Sequence, residues 1–505
     1  MFNLSETTAI ALILLMAGGV LTWGYQRSKP FGKLGLLAWF QSVVLMAPWL
    51  IFFTLFAAGI YLNLIGVVML LVISAGIYIY LGKRLRAEGQ DTMLRERAAQ
   101  RLKAFESDNT ATPSEAETTN STDNSEANNP DILPIPEADL ALIKGIFSID
   151  TFFATQTISY QEGAIFQGNL RADPDEAYPK LSEKLTAVLS EKYRLFLVEG
   201  TEGRPVVIIL PRSNDPQTMT LAQKNLALVL FIATLVTSLE AIAALLGFDL
   251  FSQWQRYGEA LPLAMGLWLI LIAHEIGHRW AAKNYNLKLS WPFFLPTWQI
   301  GSFGSVTRFE SLLPDRSALF DIAFAGPALG GIVSLFLLFI GLVLSHPGSL
   351  FQVPSQFFQG SILVGALARV VLGEELQKTI IDVHPLTVLG WLGLVINALN
   401  LMPAGQLDGG RIVQAIYGRK TARRTTVATL IVLGLVSIFN PANPIPLYWA
   451  VVILFLQRDL ERPSLNELSE PDDNRAGLAL LALFLMLVTI IPLSPALAGR
   501  LGIGS

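Results

Sequence analysis

Apolar residues in this chain gather into uninterrupted runs, several of them about 20 residues long, the length at which a helix crosses a hydrocarbon layer of roughly 30 Å. They fall into three groups: 10–25, 36–60 and 62–81, then 221–246, 261–282, 318–345 and 383–401, then 427–439, 445–456 and 478–497. Inside lipid, a single segment of this kind satisfies its backbone polar groups only as a helix. With 52% hydrophobic and 15% charged residues over 505 positions, the composition belongs to the membrane class. The expected fold is an all-α polytopic membrane protein with a small soluble α+β domain inserted between helix groups.

The formal net charge of -4 offers no basic field for nucleic acid. Cysteine is absent, so disulfides, thiolate metal sites and thiol nucleophiles are excluded, and a metal would have to be held by histidine and carboxylate. Residues 1–8 carry no basic region ahead of the first apolar run, which reads as a retained helix and favours a prokaryotic over an organellar-precursor origin.

Composition shifts divide the chain into five parts. Residues 1–84 hold the N-terminal transmembrane helices. Residues 85–135 hold the rest of a basic helix over 83–103, then a polar linker over 107–130 with too little apolar surface to offset chain entropy, expected to be disordered. Residues 136–215 form the soluble α+β domain, with strands at 193–198 and 205–210 after a helix capped by Asp173 or Asp175. Residues 216–424 form the membrane core and 425–505 the C-terminal helices. Lysines and arginines in short loops orient the chain: Arg27, Lys29, Lys33, Lys83, Arg84 and Arg86 put the N-terminus outside and the soluble domain inside. Arg279, Lys283, Lys288, Arg411, Arg419, Lys420, Arg423, Arg424, Arg458 and Arg462 then also fall inside, and the C-terminus outside.

Within this scaffold, His274-Glu275-Ile276-Gly277-His278 carries the chemistry. Two histidines four apart share one helical face and can grip one metal, while the glutamate between them can reach a water on that metal. Zinc lowers the pKa of such a water to about 7, and a carboxylate base then releases the nucleophile. A pair of satisfied histidines would explain the motif in a soluble helix, but two histidines and a glutamate in a bilayer are costly without function. Of the four histidines, His346 and His384 lie at outer helix ends and are poor ligands. Asp408, in Asn400-Leu401-Met402-Pro403-Ala404-Gly405-Gln406-Leu407-Asp408-Gly409-Gly410-Arg411, is the better third ligand, although it could instead cap a helix starting at Gly409. Asn400 could bond a developing oxyanion, or satisfy broken backbone near Pro403.

Together, His274-Glu275-x-x-His278 and Asn400-x-x-Pro403-x-x-x-Leu407-Asp408-Gly409 resemble the site-2 protease family of intramembrane zinc metalloproteases. The resemblance implies one catalytic zinc held by His274, His278 and Asp408, Glu275 as general base, and membrane-protein substrates met in the bilayer. Gly168-Asn169-Leu170-Arg171 and the stretch from Gln299 to Thr307 resemble the ethylene-dependent gravitropism-deficient and yellow-green branch of chloroplasts and cyanobacteria. That branch implies a cyanobacterial plasma or thylakoid membrane, or a chloroplast membrane. One departure stands out: many members place an asparagine shortly after a Gly-Pro, whereas Gly326-Pro327 is followed by Gly330. This leaves the zinc assignment intact and puts in doubt a role for that helix in handling substrate.

Residues 289–313 mix Pro292, Pro296, Gly301 and Gly304 with Trp291, Phe293, Phe294 and Trp298, which reads as a re-entrant loop or hairpin, available for strand addition by an unwound substrate. An interfacial loop anchored by aromatics is the alternative. Residues 355–375 suggest a second interfacial stretch. Glu240 marks a water path or snorkels to the interface. Gly168 to Arg171 either recognises a partner, whose identity is open, or makes a strand-to-turn junction. A transporter would be expected to show paired broken helices in internal repeats, and none is visible.

Overall fold

The computed structural model describes residues 135–503 except 161–162, 201–202, 298, 442 and 458, together with 21–22, 25–26, 28–57 and scattered positions between 70 and 84. Trp298, the basic stretch apart from Arg84, and the polar linker lie outside the described residues, as do most of the runs 10–25 and 62–81.

The chain divides into two compact units. In the N-terminal one, α1 (Gly32–Ala57) runs through Pro48. The Trp39 indole donates to the Leu21 carbonyl at 2.9 Å and meets the Tyr25 ring edge-on.

The second unit opens with α2 (Glu137–Ile146), β1 (Phe152–Tyr160), β2 (Gly163–Leu170), α3 (Pro174–Leu189), β3 (Tyr193–Glu199) and β4 (Pro205–Pro211). The strands form an antiparallel sheet of order β1-β2-β4-β3. Asp173 caps α3 by accepting from the Asp175 amide at 3.0 Å. Alternation along the strands places Phe152, Phe166, Leu197, Val207 and Ile209 inward against Ile143, Leu181 and Leu185 of the two helices, all fully buried or nearly so. At Gly168 a Cβ would fall 2.2 Å from the Phe153 carbonyl, so the β1–β2 crossing, next to a bulge at Ala154, requires glycine. This gives Gly168 a structural role, while Asn169 and Arg171 remain exposed.

The sheet is not a free appendage. Its edge strand β3 takes up a piece of the C-terminal region: the Leu197 amide donates to the Leu465 carbonyl at 2.8 Å, and the Glu467 amide to the Leu197 carbonyl at 2.9 Å. Leu465 and Asn466 in turn donate to the carbonyls of Leu313 and Pro314, ahead of a membrane helix.

The helical region follows as α4 (Leu221–Leu245), α5 (Tyr257–Asn284), the hairpin β5 (Phe293–Thr297) and β6 (Gly301–Val306), α6 (Arg316–Leu344), β7 (Phe351–Pro354), α7 (Ile362–Leu372), β8 (Ile380–Val383), α8 (Pro385–Asn400), α9 (Asp408–Phe439), α10 (Ile445–Val452), α11 (Asp473–Ile490) and α12 (Pro495–Arg500). Among the described residues, five helical stretches are long and apolar enough to cross a membrane: Gln223–Leu245, Trp254–Asn284, Arg316–Leu344, Asp408–Phe439 and Asp473–Ile490. The run expected at 478–497 ends instead at Ile490, because Ile491 is extended ahead of Pro492. The run at 427–439 is the far part of α9, which starts at Asp408 and breaks at Gly418 (φ 78°).

Helices α5, α6 and α8 approach closely through small residues, as membrane helices do. A Cβ on Gly277 of α5 would lie 2.2 Å from the Ala325 carbonyl of α6, and one on Gly390 of α8 would lie 2.2 Å from the Leu338 amide of α6. The 289–313 stretch is a hairpin packed on α4, where the Thr237 hydroxyl donates to the Gly301 carbonyl at 2.6 Å. Glu240 accepts from the Leu250 amide at 3.0 Å and so ties down the loop after α4. Residues 355–372 form a short 3-10 turn and α7, with Phe358, Val364 and Ala368 buried.

Candidate metal centre

The α5–α6–α8 packing, together with the first residue of α9, brings His274, His278 and Asp408 together in the interior. Each is 4–6% exposed, and one ligand atom from each lies within 4.8 Å of the others. His274 Nε2 is 3.0 Å from His278 Nε2 and 3.1 Å from an Asp408 oxygen, which is 3.4 Å from His278 Nε2.

The outer nitrogens settle which ring atoms carry protons. His278 Nδ1 faces the Ile322 carbonyl at 2.7 Å and must donate to it. His274 Nδ1 faces Asn397 Oδ1 at 2.9 Å. The Asn397 amide orientation follows from its own network: Nδ2 donates to the Gly393 carbonyl at 2.8 Å, which leaves the oxygen toward His274. In neutral rings, both Nε2 atoms then present lone pairs to each other and to a carboxylate. Three acceptors with no hydrogen between them repel unless a cation sits at their centre. Their spacing suits zinc, since Zn–N bonds near 2.05 Å in a tetrahedron separate ligands by about 3.3 Å. Partners fixing the far nitrogen of each histidine are the usual support of such a site.

Room for this arrangement comes from glycine. A Cβ on Gly326 would lie 2.2 Å from His278 Nε2, and one on Gly330 would lie 2.6 Å from Asn397 Oδ1 and 3.1 Å from the His274 Cβ. The helix whose role was in doubt thus touches both histidines, and Gly330 clears the space that Asn397 fills.

Glu275 is buried beside the hairpin. The hydroxyls of Ser305 and Thr307, two apart on extended chain and hence on one face, both donate to its carboxylate, Thr307 at 3.0 Å. A cleft of about 360 Å³ between α4, α5 and β5, lined by Leu228, Phe231, Ile272 and Phe294, reaches Glu275. Asn400 spends its Nδ2 on the carbonyls of Ile396 at 2.9 Å and Phe303 at 3.0 Å, so it braces β6 against α8 rather than presenting a free donor.

Arg411, counted above with the inner charges, is 5% exposed. It pairs with Glu461 at 2.8 Å and donates to the Thr307 carbonyl at 2.8 Å. His346 and His384 stand outside the cluster: His346 is exposed, and His384 caps α8 at the end opposite Asn400. Asn397, Ser305, Thr307 and Glu461 were not identified from sequence. Only Ser305 and Thr307 left a signal, in the Gln299 to Thr307 stretch.

Residues 262–440 match the family model of peptidase family M50, and residues 141–217 match that of the EGY3 middle domain. The probable zinc metalloprotease EGY2, chloroplastic, of Arabidopsis thaliana is 36% identical over 379 residues, covering 73% of this chain and 67% of the relative. The probable zinc metalloprotease EGY1, chloroplastic, of the same plant is 36% identical over 408 residues, covering 73% and 74%. The probable zinc metallopeptidase EGY3, chloroplastic, is 31% identical over 376 residues, covering 70% and 65%. No solved structure matches the chain.

Proposed function

This chain belongs to peptidase family M50, the membrane-embedded zinc metalloproteases, and on that premise we propose that His274, His278 and Asp408 hold its zinc while Glu275 acts as general base on peptide bonds of membrane-protein substrates. The observation that carries the residue roles is the convergence of three lone-pair-bearing groups on one buried point, beside a carboxylate held by two hydroxyls.

Bound zinc supplies Lewis acidity and an acidified water. Glu275 takes a proton from the attacking water and passes it to the leaving amine. Ser305 and Thr307 fix the carboxylate for that exchange. Asn397 and the Ile322 carbonyl keep both Nδ1 atoms protonated, so that both Nε2 atoms face inward. Asn400 acts by holding β6 in place. The hairpin offers strand pairing to a substrate that has unwound, with the apolar cleft at Glu275 as its approach.

The protein is a multi-pass membrane protein, and its relatives are named chloroplastic. The loop charges support an N-terminus outside and the sheet domain inside, and the family resemblance supports a cyanobacterial plasma or thylakoid membrane or its chloroplast equivalent. The 136–215 domain, set on the 216–424 core, admits or selects substrates.

Glu275→Gln tests the assignment. The variant should retain bound zinc and lose cleavage of a single-pass substrate that the wild type cuts. Continued cleavage, or loss of the metal together with activity, would remove Glu275 from the role of base.

A further inference from the structure

A second site opens where β6 leaves the metal centre. Immediately after Thr307, which bonds Glu275, the chain presents Arg308 to a cavity of about 320 Å³ whose walls include Thr218, Thr220, Gln406, Arg411 and Arg462. The charges on these walls do not cancel. Glu461 lines the cavity and is paired to Arg411, and the nearby Glu310 accepts from the Met219 amide. Arg308 has no carboxylate within 4.0 Å among the described residues, and Arg462 contacts only the Asn214 carbonyl through its guanidinium. The N-terminus of α4, 25 residues long, borders the same space through Thr220 and Gln223 and adds its positive dipole end. Arg308 and Arg462, both exposed and without a carboxylate partner among the described residues, line one polar cavity beside a helix N-terminus, a combination that attracts a carboxylate.

We propose that this cavity is a specificity subsite: it takes an acidic side chain of the substrate, a few residues from the scissile bond on the side leading away from the membrane. The placement carries the choice of ligand. A substrate strand running along the hairpin past Thr307 arrives at Arg308 next, at about 3.3 Å per residue. Arg411 touches both places, donating to the Thr307 carbonyl while lining the cavity. The inference rests on the protease reading and adds to it the chemistry of what is selected.

The test uses the full-length protein in vesicles and a set of single-pass substrates that differ at one juxtamembrane position, carrying Glu, Gln or Lys. Two readouts run together: cleavage by the wild type, and photo-crosslinking of the substrate to Glu275→Gln, which reads binding without turnover. Glu should be preferred to Gln by about tenfold in both, as expected for a charge-assisted hydrogen bond. In Arg308→Gln/Arg462→Gln the ratio should fall to near one, and in Arg308→Glu/Arg462→Glu the preference should pass to Lys. A Glu to Gln ratio that stays the same in all three backgrounds overturns the subsite. So does a preference that appears only in zwitterionic vesicles and vanishes with anionic lipid, which would make the cavity a headgroup site. Failure of the protease reading is distinct: Glu275→Gln would still cut, whatever the charge on the substrate.

Discussion

Asn397 Oδ1 stands 2.9 Å from His274 Nδ1, joining residues 123 positions apart across the α5–α8 contact. The bond holds the histidine in the tautomer whose Nε2 faces His278 and Asp408.

Asn397→Ala should therefore weaken zinc binding or cleavage by about 10–100-fold, the usual cost of losing a partner of a metal-binding histidine. Asn397→Asp, which keeps an acceptor at that point, should recover much of the loss. Zinc content by mass spectrometry, measured beside cleavage rate, decides it, and equal zinc affinity in the alanine variant would contradict the assignment.

Ser305 and Thr307 act on Glu275 rather than on the metal. Ser305→Ala combined with Thr307→Val should lower kcat by about tenfold or more, since each hydroxyl-to-carboxylate bond contributes roughly 1.5–3 kcal/mol, while zinc content stays at the wild-type level. A change confined to KM would point to substrate contact instead.

The Arg411–Glu461 pair is buried on both sides, so breaking it leaves a bare charge. Arg411→Met or Glu461→Met alone should cost about 3–5 kcal/mol, and the double change markedly less than the sum. Thermal unfolding in detergent measures this, and additive losses would show that the two residues are not coupled.

Tyr285, at the end of α5, donates its hydroxyl to Asp321, which Arg475 of α11 grips through two nitrogens at 2.7 and 2.8 Å. Burial, and then that hydrogen bond, push the tyrosine pKa from 10.0 up to about 12. A raised folded-state pKa means that the native protein holds the proton longer, so this contribution is complete below pH 10 and is lost as the pH climbs toward 12. Melting temperature against pH should show the decline in the wild type and a shallower one in Tyr285→Phe.

What could be read from the chain beforehand followed how local the signal was. His274, Glu275 and His278 lie within five positions on one helix, so helical periodicity alone brings them together. Asp408 was legible from its Asn-Pro-Asp-Gly loop. Asn397 was not, because its role exists only where α8 crosses α5, and an asparagine in an apolar run looks the same whether it bonds a histidine or a neighbouring carbonyl. The pairing of Arg411 was hidden for a related reason: its partner Glu461 is 50 residues away, and nothing local distinguishes a paired buried arginine from a loop charge. The helix start at 408 and the helix end at 490 were harder still, since hydropathy does not register a helix that breaks at a left-handed Gly418 or an extended residue ahead of Pro492.

The stitch between β3 and residues 465–467 gives the protease a load path. Lifting the sheet from the helices would first pull on the strip that also carries Glu461, and through it on Arg411, three residues from Asp408. Force applied to the sheet domain would thus arrive together at the start of α9, which carries Asp408, and at the start of α6, beside Leu313 and Pro314.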